Sequence, residues 1–104
     1  MDSKLYHVTR TRSLARIMRR GLNAAVGNRS REAGESPGIF LFTSKEAAHD
    51  AVCNWLGDYF EEDEPLCLLE INAEGLSLSV TADYERVSRQ TISPDRIKVL
   101  NTDY

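Results

Sequence analysis

Two side chains near opposite ends of the 104-residue chain are of the types that carry chemistry: His7 in Leu5-Tyr6-His7-Val8-Thr9, and Glu85 in Tyr84-Glu85-Arg86-Val87. An imidazole can donate and accept hydrogen bonds at once near neutral pH. Thr9, two residues on, shares its face if the segment is a strand. A fixed carboxylate acts where positive charge builds up. Between these two lies Gly38-Ile39-Phe40-Leu41-Phe42-Thr43-Ser44-Lys45-Glu46-Ala47-Ala48-His49. Each residue also has a plainer reading. His7 would be a satisfied strand histidine, Glu85 an exposed carboxylate paired with a neighbouring arginine, and Thr43 and Ser44 only helix caps. Glu70 lies mid-strand in an apolar run and would need a partner if buried.

The elements that must position these groups are legible from periodicity. Residues 4–9 read as a strand with Leu5, His7 and Thr9 on one face and Tyr6 and Val8 on the other. A helix follows from Arg12 to Arg20 with Leu14, Ile17 and Met18 as its apolar stripe, Thr11 or Ser13 as cap and Gly21 as stop. Residues 22–37 form a long irregular stretch, of the kind that is usually functional or disordered. Residues 38–42 read as a buried strand, apolar on both faces. Thr43-Ser44-Lys45-Glu46 matches a capping box, opening a helix marked by Ala48, Ala51, Val52, Trp55, Leu56 and Tyr59. Strands follow at 66–71, 76–80, 84–88 and 97–100, with a turn at Ser93-Pro94-Asp95. This order predicts one α+β domain over residues 1–104 rather than a doubly wound parallel fold.

Composition narrows the classes. A hydrophobic fraction of 41% and a charged fraction of 28% suit a soluble globular domain. No apolar run is long enough to span a membrane and the start lacks a signal-peptide pattern, so a cytoplasmic protein is expected. Cys53 and Cys67 show neither CxxC spacing nor histidine clustering, so a metal site is not expected; both sit in apolar segments that suit buried thiols, and a disulfide is open without being suggested. The net charge of −3 hides a polarity: residues 4–31 are basic without an acid, and residues 46–64 are acidic, ending in Glu61-Glu62-Asp63-Glu64. The basic part could attract phosphates; two solvated helix faces would explain it as well.

The three segments, in this order, resemble the ADP-ribosyltransferase-fold superfamily, in a minimal form similar to DarT-type toxins that modify DNA and to RNA 2′-phosphotransferases. The 38–49 segment resembles the Gly-Ile-Tyr-Phe-Ala strand and Ser-Lys-Ser-Ala-Asn-Tyr helix start of poly-ADP-ribosylating members. There Phe40 and His49 stand where the family has tyrosines, so the phenolic hydroxyls are gone. Glu85, followed by Ile92-Ser93-Pro94-Asp95-Arg96-Ile97, is similar to the late glutamate strand of the DarT-like proteins.

The resemblance implies a split antiparallel sheet with two main helices, and NAD as substrate. By it His7 holds the cofactor ribose with Thr9 beside it, and Phe40 and His49 flank nicotinamide. Glu85 binds the ribose 2′-hydroxyl and stabilises the oxocarbenium-like transition state. Arg29 and Arg31 in the long loop are suited to the pyrophosphate, since a guanidinium bonds phosphate oxygens in pairs. The implied activity is ADP-ribosyl transfer to a macromolecule by a toxin or a phage-encoded host modifier. The acceptor is open among a protein side chain, a nucleobase and an RNA 2′-phosphate, with the net charge of −3 favouring a protein over a nucleic acid. The other reading keeps the fold without the activity, as a binding or inhibitory module with the acidic run as its contact surface.

Overall fold

A computed structural model describes residues 3–23, 38–55, 60, 63–102 and 104. Strand β1 spans Lys4–Arg10, followed by a 3-10 turn at Thr11–Ser13 and helix α1 at Leu14–Arg20. Then come β2 (Ile39–Phe42), helix α2 (Lys45–Asn54), β3 (Leu66–Asn72), β4 (Leu78–Ala82) and β5 (Glu85–Ser88). A 3-10 turn at Pro94–Arg96 leads into β6 (Ile97–Asn101). The strands form one sheet in the order β4-β5-β2-β1-β3-β6, antiparallel at every junction. The fold is therefore α+β, with a helix on each face.

The two faces follow from strand alternation. Leu5 on β1, Ile39 and Leu41 on β2, and Cys67, Leu69 and Ile71 on β3 pack with Ile17 of α1 and with Leu22 and Ile92. Val8, Phe42 and Leu68 point the other way, onto Ala48 and Ala51 of α2. The alternation expected for β1 thus holds, and each half of it meets a different helix. Small residues on α2 let that helix sit close to the sheet, and Trp55 closes its end against Phe42 at 6.2 Å between ring centroids.

The sheet is not uniformly laddered. β1 and β3 are in register at all seven residues of β1, whereas β1 and β2 share one registered pair, Tyr6 opposite Phe42. Two three-stranded units, β4-β5-β2 and β1-β3-β6, therefore meet at a seam.

Local signals hold in kind and shift in place. Gly21 stops α1 with φ 83° and ψ −176°, a conformation open to glycine almost alone. Leu22 then exchanges backbone hydrogen bonds with Ile92, both at 2.9 Å, which ties the end of α1 to the approach to β6. The expected caps of α1 are not made: Ser13 forms no side-chain cap bond, and the Thr11 hydroxyl donates instead to the Thr102 carbonyl. The 3-10 turn already aims the chain into the helix, which leaves the hydroxyl free for that contact. The α2 cap is Ser44, whose Oγ accepts from the Ala47 N–H at 3.0 Å. Thr43 stays in the sheet through its N–H to the Tyr84 carbonyl, so the box from Thr43 to Glu46 does not close. Leu56 and Tyr59 lie outside the described residues.

Candidate functional site

His7 sits at the seam. Its Nδ1 lies 2.8 Å from the Phe40 carbonyl of β2, on the strand that β1 pairs with only once. A carbonyl only accepts, so Nδ1 carries the proton and donates it. Burial lowers the imidazole pKa below the ordinary 6.5, partly offset by the bond to Phe40. The ring is therefore neutral at pH 7, with its lone pair on Nε2. That nitrogen is an acceptor suited to a hydroxyl. Thr9, on the same face, stands opposite Cys67 of β3.

Glu85 begins β5 and is 3% exposed. It is not the solvent-facing strand carboxylate of the plainer reading. Its Oε1 accepts the Thr81 hydroxyl at 2.9 Å, and its backbone is opposite Phe42. Arg86 donates from Nη1 to the carbonyls of Ala82, at 2.9 Å, and Glu85, at 3.0 Å, and so clasps the β4–β5 hairpin.

Register fixes how these groups relate. Tyr6, Phe42 and Glu85 form one row across β1, β2 and β5, so their side chains issue toward α2. His7 is one residue along, and its side chain issues toward α1. The two lie two strands apart in adjacent rows, on either side of the sheet, with the seam between β1 and β2 beside His7. The structure brings them to one region, without placing both on one face.

Phe40 is part-buried, opposite Val87, and lends its carbonyl to His7. His49 turns elsewhere. Its ring meets the edge of Tyr104 at 6.2 Å, and its Nε2 lies 3.6 Å from the exposed Cys53 thiol. Tyr104 is tied by its N–H to the Leu66 carbonyl of β3, so His49 is engaged toward β3 rather than β5. Arg29 and Arg31 lie outside the described residues. Cys53 is exposed, contrary to its apolar context, because it falls on the outer side of α2; Cys67 is buried, and burial pushes its thiol pKa up. The two thiols are free.

Other charges find structural partners. Glu70 meets Lys4 at 3.8 Å. Glu64, the end of the acidic run, binds Arg10 at 2.7 Å and lies 3.5 Å from Arg12, with Arg10 also over the Phe60 ring. Glu64 thus meets the basic start of the chain; Glu61 and Glu62 are outside the described residues. A polar groove lined by Lys4, Glu70, Asn72, Arg96 and Lys98 lies toward β6 and includes neither His7 nor Glu85. Among the described residues no three or more His, Cys, Asp or Glu side chains cluster as metal ligands, and no helix is long and apolar enough to cross a membrane.

Thr81 is the residue that sequence reasoning passed over. Its position four residues before Glu85 is visible, but the bulge that turns it toward the carboxylate is not. No protein-family model matches the chain, and no curated protein matches it.

Proposed function

We propose that the protein is an NAD-dependent ADP-ribosyltransferase acting on a macromolecular acceptor. The burial of Glu85 carries this reading. A carboxyl side chain held almost out of water costs free energy unless it is hydrogen-bonded, and Glu85 is held so, with the Thr81 hydroxyl on its Oε1. Glu85 stands at the head of a strand in the half-sheet that borders the seam, and the seam carries the neutral His7. The resemblance implies a split antiparallel sheet with two main helices, and an antiparallel sheet thinly paired between β1 and β2 is compatible with that.

In this reading NAD enters at the seam and a ribose hydroxyl donates to His7 Nε2. The bond between the nicotinamide nitrogen and the ribose carbon breaks, and its electron pair leaves with nicotinamide. Glu85 stabilises the positive charge that builds on the sugar, which requires the seam to open, because His7 and Glu85 issue from opposite faces of the sheet. A lone pair of the acceptor forms the new bond to that carbon, and the acceptor's proton passes to solvent.

The second reading, a fold retained for binding or inhibition of a host protein, is favoured by two observations. His7 and Glu85 leave opposite faces of the sheet, and His49 is engaged with Tyr104. Incubation with labelled NAD and a cell extract separates the two. Nicotinamide release or label transfer by the wild type, lowered about 10²–10³-fold in Glu85→Gln and lost in His7→Ala, is the outcome expected of the enzyme. No turnover together with no heat of NAD binding in calorimetry would leave the binding module.

A further inference from the structure

The β4–β5 hairpin carries a defect placed at one residue. Leu78, Ser79 and Val80 oppose Ser88, Val87 and Arg86 in steady register; then Ala82, not Thr81, opposes Glu85. Thr81 is the extra residue of a bulge, so two residues of β4 face Glu85 alone. Bulges re-aim side chains, and they gather beside active sites. Here the re-aimed group is a hydroxyl, and it lies 2.9 Å from Glu85 Oε1. The Thr81 O–H donates to that carboxyl oxygen. Thr81 itself is exposed, whereas Glu85 is buried. Its side chain therefore adds little to the core, and its polar contact is made to the buried carboxylate.

We infer that Thr81 is a positioning residue for Glu85: its hydroxyl fixes the plane of the carboxylate that faces the sugar in the transferase reaction. This inference rests on the reading of Glu85 given above. A hydrogen bond that holds the carboxylate at the angle the transition state needs acts on turnover more than on NAD binding.

The test compares wild type, Thr81→Val, Thr81→Ser and Glu85→Gln in the full chain, measuring nicotinamide release over a range of NAD concentrations and the melting temperature of each. Valine keeps the shape and strand preference of threonine and removes only the hydroxyl. Thr81→Val is expected to lower kcat about tenfold or more with KM for NAD unchanged and melting little altered, and Thr81→Ser to restore kcat. Side-chain coupling constants by NMR give a readout independent of turnover: one Glu85 rotamer in wild type and Thr81→Ser, averaging in Thr81→Val. An active wild type with Glu85→Gln inactive and Thr81→Val fully active would overturn the inference alone, as would an unchanged Glu85 rotamer in Thr81→Val. Loss of kcat that serine fails to restore would overturn it too. A wild type that releases no nicotinamide overturns the transferase reading and the inference with it.

Discussion

His7 is neutral because burial outweighs the help it receives from the Phe40 carbonyl, and this ties stability to pH. In the unfolded chain the imidazole protonates near its ordinary 6.5; in the folded protein it does so at a lower pH. Between those two values the unfolded state binds more protons, so the free energy of unfolding falls as pH drops through that window and is flat above it. Urea midpoints measured from pH 8 to 5 are expected to hold steady and then decline below about 6.5. His7→Gln should flatten the first part of that decline, and an equal decline in the variant would show that His7 does not set it. At this scale the sequence displayed the chemical types and hid their surroundings. His7 on a strand and Glu85 at a strand head were legible. The burial of Glu85 depends on strands brought beside it from residues 39–42 and 78–82, and no local pattern reports that. His49 shows the same gap: its partner Tyr104 lies at the far end of the chain.

Elements were the best-read level, because periodicity and end signals act within a few residues. Among the described residues the six expected strands and the two expected helices fall near their spans, the positions of the second helix beyond Trp55 lying outside them, and the discrepancies concern caps. Ser44 rather than Thr43 caps α2: α2 starts at Lys45, and it is the Ser44 Oγ that accepts the Ala47 N–H, while the Thr43 N–H is bonded outside the helix to the Tyr84 carbonyl. Ser44→Ala is therefore expected to cost about 1 kcal/mol, within the 0.5–2 range of lost caps, and Thr43→Ala to remove no cap; chemical denaturation of the two variants checks the assignment. Gly21 makes a sharper case. A Cβ there would stand 2.1 Å from the Ile92 carbonyl oxygen, at φ +83°. Relief would require breaking the Leu22–Ile92 bridge that anchors α1. Gly21→Ala is expected to cost about 1–3 kcal/mol from the backbone conformation before the clash is counted, and a melting temperature equal to wild type would contradict this geometry.

At the scale of the whole molecule, the order of strands is what sequence could not supply. Apart from the β4–β5 hairpin, adjacent strands in space come from distant segments, and β2 lies between β1 and β5 through pairings no local signal encodes. The seam follows from that order, and it makes the two half-sheets unequal in their hold on each other. β1 and β3 are laddered at seven positions, β1 and β2 at one, so the backbone contributes little across the seam and side chains must do the joining. Phe42 is the side chain best placed to do so: it is 1% exposed, stands opposite Tyr6, and packs on Val8, Leu68 and the Trp55 ring. Phe42→Ala should cost about 3–5 kcal/mol, a large share of the roughly 5–15 kcal/mol that holds a domain together. The loss should also be uneven. Leu69, equally buried, lies in the half where β1 and β3 are laddered at seven positions, and truncating it weakens the common core. Phe42→Ala removes the joint, so β2, β4 and β5 can open as a unit while β1, β3 and β6 remain paired. Native-state hydrogen exchange distinguishes the two. In Phe42→Ala the amides of residues 39–42 and 78–88 should lose more protection than those of residues 66–72. In Leu69→Ala the loss should be shared across the sheet. Equal loss in both halves of Phe42→Ala would mean that the seam is no weaker than the ladders beside it, and that an opening there for a substrate has no basis in the energetics of the fold.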